Sequence, residues 1–369
     1  RMKNSFGNNI VLTVFGESHG PLIGGVIDGL PAGFAIDEKQ LQADMDKRRA
    51  KGKISTQRHE ADQVHIVSGF FEGRTTGTPL TIVIENRSQH SADYKELKYR
   101  LRPSHADWSA FEKYCGFQDF RGGGHFSGRL TAVLTACGSI CRQILAAHGV
   151  VIGSHLKQIY TIHDDPFDKN GLEFQLARMN VLDFPVLNEK KGMRMIAAIE
   201  QAAAEKDSVG GIIECGVVHF PAGIGEPIFD TIESELAHAL FGVPAVKGIS
   251  FGSGFDFANM RGSEANDTLQ YENGKISSRT NHNAGINGGI SNGMPIVFEC
   301  VIKPTPSIFQ KQCSVQFDSK ENVTLEIKGR HDPCIAHRAR IVIENMTAFV
   351  LLDCWMSMVG RRFFEEEKR

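Results

Sequence analysis

The segment from Ile335 to Met358 is apolar almost all the way round a helical repeat. A surface helix keeps a polar face, so a helix of this kind has to be buried. At 369 residues and 41% hydrophobic content the chain can build a core of that size. A second long helix reads from about Ser127 to His148. Leu130, Val133, Leu134, Cys137, Ile140, Cys141, Ile144 and Leu145 share one broad face, and Gly149 ends it. Shorter helices read at about Lys191–Lys206 and at Phe229–Phe241, the latter with Ile232, Leu236 and Leu240 inward. Another begins after Ile36, where Asp37 can cap. It runs through Leu41 and Met45 to Arg48 and Arg49, whose charges suit a helix C-terminus.

Strand-like runs are Ile10–Phe15, Gly24–Asp28, Val64–Phe70, Leu80–Glu85, Val209–Cys215, Ala245–Phe251 and Pro295–Ile302. Helices and strands mix without regular alternation, so the expected class is α+β rather than a doubly wound parallel sheet. No repeat or long linker divides the chain, and one domain over residues 1–369 is expected. Arg1 ahead of Met2 reads as a vestige, and the charged tail Phe364–Arg369 (within 362–369) as a frayed end.

Charge narrows the function classes. The chain has 41 basic and 43 acidic residues, a net charge of −2. That is no global field for nucleic acid, so any anion must be held by local arginine clusters. Eight scattered cysteines form no Cys-x-x-Cys pair, so no metal site is expected. Cys137 and Cys141 read as buried thiols. No secretory signal and no membrane-spanning apolar run is read, so the expected address is a reducing cytoplasm with no membrane partner.

Four segments carry chemistry. Gly16-Glu17-Ser18-His19-Gly20 puts a histidine in a tight turn after an apolar strand. Arg102-Pro103-Ser104-His105-Ala106-Asp107 offers a second, which could equally cap the Trp108–Tyr114 helical turn. Arg121-Gly122-Gly123-Gly124 runs into the Ser127 helix, and Gly329-Arg330-His331-Asp332-Pro333 precedes the last one. Imidazole titrates near neutrality and can deliver a proton to a departing oxygen, and neighbouring anions would keep it cationic. Glycines let backbone N–H groups approach an anion at a helix N-terminus, although the spacing fits neither a Walker loop nor a dinucleotide fingerprint. Arg48, Arg49, Arg58, Arg102, Arg121, Arg129 and Arg330 lie near these motifs, and guanidinium forks grip carboxylates and phosphates. Lys303-Pro304-Thr305-Pro306-Ser307 is either a second phosphate-binding loop or a plain polar turn. Asp332 is either a helix cap or a proton relay. The set as a whole points to one site that holds a heavily anionic molecule and moves protons on it.

These segments, taken in order, resemble the chorismate synthase family. The resemblance is carried by Phe15–Gly20, Arg102–Asp107, Arg121–Gly124, Asp207-Ser208-Val209-Gly210-Gly211, Gly225-Glu226-Pro227, Arg261-Gly262-Ser263-Glu264, Asn281-His282, Gly288-Gly289-Ile290-Ser291, Lys303-Pro304-Thr305 and Gly329–Pro333. It implies the anti-1,4-elimination of phosphate from 5-enolpyruvylshikimate 3-phosphate to give chorismate. It also implies a need for reduced FMN, with NADPH as a possible reductant, a homotetramer, and long central helices sandwiched between two antiparallel sheets. By position, His19 resembles the acid for the leaving phosphate, His105 the cationic histidine beside the flavin, and Asp332 the aspartate that helps remove the ring proton. Ser18, Arg48, Arg58, Arg102, Ser127, Arg129 and Arg330 match substrate-binding positions. Arg48, His125, Phe126, Ser127, Pro244, Ala245, Gly288, Lys303–Ser307 and Arg330 match flavin contacts.

The chain departs from the family's usual run after the glycines, Arg-Ser-Ser-Ala-Arg-Glu-Thr. Here it reads His125-Phe126-Ser127-Gly128-Arg129-Leu130-Thr131. Pro244 stands where Asn is common, and Lys53 roughly where Arg is. Two other readings stay open: a flavin-independent phosphatase with His19 as nucleophile, and a non-catalytic flavin- or anion-binding module.

Overall fold

The structure is a computed structural model that describes residues 4–49, 54–55, 62–87, 98–272, 274–327 and 331–362, without the side chains of 361 and 362. The expectations for Lys53, Arg58, Arg330 and the tail beyond 362 lie outside the described residues.

Strands β1 (Ser5–Phe6), β2 (Val11–Gly16), β3 (Leu22–Asp28), β4 (His65–Ser68) and β7 (Leu80–Glu85) form one sheet. Its order is β1-β2-β3-β7-β4, antiparallel throughout, and a small hairpin, β5 (Phe70–Phe71) with β6 (Arg74–Thr75), interrupts the sequence. Strands β8 (Val151–Ile159), β9 (Ile162–His163), β10 (Gly211–Val218), β11 (Val246–Phe251) and β16 (Ile296–Ile302) form the second, ordered β11-β16-β10-β8-β9 and also antiparallel. Three further hairpins stand apart: β12 (Leu269–Glu272) with β13 (Lys275–Ser278), β14 (Ile286–Asn287) with β15 (Ile290–Ser291), and β17 (Gln312–Gln316) with β18 (Glu321–Leu325).

The helices are α1 (Glu38–Arg48), α2 (Asp107–Tyr114), α3 (Thr131–Ala147), α4 (Leu172–Val181), α5 (Glu189–Ala204), α6 (Ile232–Phe241), α7 (Gly262–Ala265) and α8 (Ala336–Arg362). The α3–α8 pair is the centre of the molecule. Helix α3 packs on β2, β3 and β7 of the first sheet, and α8 packs on β8 and β10 of the second. The expected sandwich is therefore present. Strand pleat adds one more layer on the far side: Ser154 reaches Glu344 of α8, while its neighbour Gly153 meets Leu176 of α4.

Two expectations about the central helices need correcting. Helix α3 buries residues on nearly every side, Ala132, Thr135, Gly138 and Ser139 included, rather than one broad face. Helix α8 is not free of polar groups, but it uses them internally. Glu344 accepts from Arg340 Nη1 (2.8 Å), Arg142 Nη1 (2.8 Å) and Ser154 Oγ (2.6 Å). Asp353 accepts from the backbone N–H groups of Asn8, Asn9 and Ile10 at 2.8, 2.6 and 2.9 Å, which pins the N-terminal segment to the helix. By length and apolar composition alone two helices, Gly128–Ala147 and Ala336–Gly360, are long enough to cross a membrane, which the sequence reading had denied. Here 72% and 78% of their most apolar windows are buried. Strand β8 and helix α4 were not anticipated.

Candidate active site

Both central helices open with their first turns on one cavity of about 1020 Å³. That lies at the upper end of the roughly 300–1,000 Å³ typical of ligand sites, so two small molecules fit side by side. The walls come from segments distant in sequence. The β1–β2 region contributes Phe6 and Val14, α1 contributes Arg48, and the glycine turn contributes Gly122 to Arg129. The stretch after α6 contributes Pro244, Ala245 and Lys247, the end of β16 leads to Lys303, and α8 contributes Arg338. Among the described lining residues, eight are Lys or Arg (Arg48, Arg49, Lys98, Arg102, Arg129, Lys247, Lys303, Arg338). Four are carboxylates (Asp62, Asp107, Asp119, Asp332). The chain carries −2 overall, yet this cavity is strongly cationic.

Of the residues expected at the site, Arg48, Arg102, His105, His125, Phe126, Ser127, Arg129, Pro244, Ala245, Lys303, Pro306, Ser307 and Asp332 do line it. Pro304 and Thr305 face an adjoining depression of about 280 Å³ instead. Gly288 does not line the cavity. It sits in the β14–β15 turn, where its neighbour Gly289 packs on Thr231. Ser18 and His19 are buried behind the glycine turn, and Arg121 faces away, paired with Asp119 at 2.7 Å.

The glycine turn shows why glycine is needed there. Gly122, Gly123 and Gly124 have φ of 59°, 85° and 54°, left-handed values that suit a residue without Cβ. A Cβ on Gly122 would stand 2.2 Å from His19 Cε1, and one on Gly124 would stand 2.0 Å from the Asp119 carbonyl oxygen. Gly123 is different. The nearest atoms to its Cβ position are Ser127 Cβ and Arg102 Nη2 at 3.8 and 3.9 Å, so its bare backbone faces the cavity. Three non-glycine lining residues, Asp62, Ser104 and Ala245, also have left-handed backbone, with φ of 40°, 58° and 76°. Such strain costs roughly 1–3 kcal/mol each and collects at functional sites.

The cations are held before any ligand arrives. Arg102 grips Asp107 through Nε (2.9 Å) and Nη2 (2.7 Å). Burial works against the Asp107 charge, but the Arg102 fork outweighs it and keeps that carboxyl below its usual range. Arg48 Nη2 donates to Asp62 Oδ2 (2.5 Å), Nη1 donates to Thr131 Oγ1 (3.1 Å), and Arg129 Nη1 donates to Asp62 Oδ1. Burial, with Arg338 and Arg129 nearby, brings Arg48 down to about 10. It is still charged at neutral pH. Arg338 ties the cluster together: Nη1 pairs with Asp332, and Nε donates to the Arg48 carbonyl at 2.9 Å.

His105 is not the cation that was expected. Nδ1 lies 3.0 Å from the Pro103 carbonyl, which can only accept, so Nδ1 carries the proton. Nε2 lies 2.8 Å from Ser307 Oγ. Burial first, then Arg102, brings this imidazole down to about 4, so Nε2 is bare and accepts from the Ser307 hydroxyl. His105 does not cap α2 either: the cap position is Ala106 and makes no side-chain bond. His125 is fixed the same way, with Nδ1 2.8 Å from the Gly16 carbonyl. Asp62, Lys247 and Arg338 were not anticipated from the sequence, whereas Arg49, one of the arginines near the motifs, does line the cavity. Arg338 lies on a helix that reads as apolar, and Asp62 lies outside every motif, so neither left a local signal.

The family model described as chorismate synthase matches residues 10–356. The chain belongs to the chorismate synthase family. A relative of that name from Dehalococcoides mccartyi is 43% identical over 353 residues, covering 95% of this chain and 96% of its own length. One from Korarchaeum cryptofilum is 44% identical over 349 residues, covering 94% and 96%. The fold also matches the crystal structure of a chorismate synthase, with a TM-score of 0.74 and 24% identity over 96% of this chain and 94% of that one. Family membership brings a requirement for a reduced flavin. The cavity suits one: it has the volume, a backbone left bare at Gly123, cations at Lys303 and Lys247, and a half-exposed aromatic wall at Phe126.

Proposed function

We infer that the chain is a lyase that converts 5-enolpyruvylshikimate 3-phosphate to chorismate and inorganic phosphate by anti-1,4-elimination. The observation that carries this is the excess of Lys and Arg over carboxylates in one cavity that also holds His105, Ser127 and Asp332, within a chain matched to the family over residues 10–356. A substrate with two carboxylates and a phosphate suits that excess, because arginine forks match both groups.

The finer reading assigns roles to this chain's residues. Arg48, Arg102, Ser127 and Arg129, with Arg58, Arg330 and Ser18, bind and orient the substrate anions. The flavin is reduced FMN, held by His125, Phe126, Ser127, Pro244, Ala245 and the Lys303–Ser307 loop. When bound it supplies electron density to a ring that becomes electron-poor as phosphate departs. Asp332, steadied by Arg338, accepts the ring proton on a carboxylate oxygen. His105, with Ser307 donating to Nε2, stands ready to take a proton there once an anion lies against it, since a nearby negative charge raises an imidazole. His19 is the acid for the leaving phosphate. It lies directly behind Gly122, 5% exposed and outside the cavity lining, so this role requires the glycine turn to move aside. NADPH as reductant, a homotetramer, a cytoplasmic address and the absence of membrane and nucleic-acid partners complete the reading.

One anaerobic assay tests it. Wild-type protein, substrate and reduced FMN should yield chorismate and phosphate in equal amounts, and His19→Ala should lower the rate by about two to four orders of magnitude. Phosphate without chorismate refutes the activity, and an unimpaired His19→Ala variant refutes the role of His19.

A further inference from the structure

Arg48 ends α1 and Arg129 lies in the turn before α3, yet both guanidinium groups finish on one carboxylate. Asp62 gives Oδ2 to Arg48 and Oδ1 to Arg129, one oxygen to each fork. It is buried at 5% exposure, lines the cavity, and holds a left-handed backbone with φ of 40°. Arg129 is fixed further by Nε to Asn86 Oδ1 (2.9 Å) and Nη2 to the Glu85 carbonyl (3.2 Å). Elsewhere on the cavity wall Arg102 pairs with Asp107 and Arg338 with Asp332. Among the described residues of this wall, Asp62 alone serves two arginines, cancelling one of their two positive charges. Its two oxygens stand where the oxygens of a phosphate gripped by both forks would stand.

We propose that Asp62 is a built-in counter-anion of the substrate site. It shares the Arg48–Arg129 pair, so that free phosphate gripped by that pair alone is held weakly, while a ligand with several acidic groups engages the other cations of the cavity as well. Arginine does not lose its charge in this range, so two buried guanidinium groups need a counter-charge whenever the cavity is empty. A mobile phosphate meets one positive charge fewer with Asp62 in place than without it. The identity of phosphate as the product rests on the activity proposed above. For such an enzyme Asp62 limits product inhibition and acts as a specificity residue, touching the anion-binding arginines rather than the reacting atoms.

The test is calorimetric titration of the full chain with inorganic phosphate at fixed ionic strength. Asp62→Asn should bind phosphate about tenfold tighter or more, because one close negative charge has gone. Asp62→Glu, which keeps the charge, should stay within about threefold of wild type. Adding Arg129→Gln to Asp62→Asn should erase the gain, because one of the two positive charges goes with it. In turnover, phosphate should become a correspondingly stronger inhibitor of Asp62→Asn. Affinity equal to or below wild type in Asp62→Asn, or a gain that survives Arg129→Gln, overturns the proposal. If Asp62→Asn is recovered unfolded, Asp62→Ser removes the same charge and carries the same expectation. Wild type that makes no chorismate refutes the activity alone, and the calorimetric comparison still decides the role of Asp62.

Discussion

His105 and His337 are both buried imidazoles brought down to about 4, chiefly by burial and then by a neighbouring arginine, Arg102 for one and Arg338 for the other. An unfolded histidine titrates near 6.5. Between about pH 6.5 and pH 4 the unfolded chain therefore takes protons that the native protein refuses, and stability falls as the pH drops through that window. His155 runs the other way. Burial opposes its charge, but Asp164 at 2.9 Å and Glu214 at 2.7 Å outweigh burial and raise it. Its contribution is fully present below about 6.5 and is lost as the pH rises through the raised value. His337 bonds Ser55 through Nε2 at 2.7 Å and lines no part of the cavity, so it can be replaced without touching the site. His337→Gln should reduce the pH dependence of the unfolding free energy between pH 6 and 4.5 by up to about 1.4 kcal/mol per pH unit, one proton's worth. Urea midpoints across that range measure it, and an unchanged slope would show that His337 is not the group responsible. The presence of histidine at these places is plain in the sequence. Its charge state is not, because desolvation depends on neighbours such as Phe184 that arrive from elsewhere in the chain.

At the scale of elements, the closeness of α3 to α8 turns on Gly138. A Cβ there would stand 2.4 Å from the Asn345 carbonyl oxygen, a rigid backbone atom inside the partner helix. Gly138→Ala should cost about 1–3 kcal/mol although alanine is the better helix former, because the two helices must separate to admit it. Gly128→Ala, with nothing within 4 Å of its Cβ, is the control and should leave the melting temperature nearly unchanged. Equal melting temperatures for the two variants would remove Gly138 from this role. Helix positions were largely legible: Asp37 accepts from the Lys39 and Gln40 backbone N–H groups, as a cap at that position should. Strand β7 was read over the residues it occupies, Leu80–Glu85. What local pattern hid was β8. Its residues are buried on both faces, between α8 and α4, so the alternation that marks a half-exposed strand is absent. The motifs placed most of the site, because the helix starts and glycine turn that carry them open on one cavity. Asp107 stood within the motif of the Arg102 that it holds, but Asp62, which joins Arg48 to Arg129, follows from three-dimensional pairing that no spacing in the sequence encodes.

For the molecule as a whole, the contrast between a net charge of −2 and a cavity whose described lining holds twice as many Lys and Arg as carboxylates has a kinetic consequence. A multiply anionic substrate gains little from the distant field, which is near neutral, and much from the cavity once it comes within a Debye length, about 10 Å at 0.1 M salt. Inside, the cations are partly buried and poorly screened, so chemistry on a bound substrate should feel salt weakly. Capture should feel it strongly, since it occurs at the solvent-facing mouth. Raising the salt from about 0.05 to 0.3 M should therefore raise KM several-fold and leave kcat within about twofold. Potassium chloride is the salt to use, because sulfate would compete directly for the arginine forks. Steady-state rates at saturating reduced flavin separate the two parameters. A kcat that falls in step with kcat/KM would place the salt-sensitive interactions in the transition state, and the cavity's excess charge would then serve the elimination itself rather than delivery of the substrate.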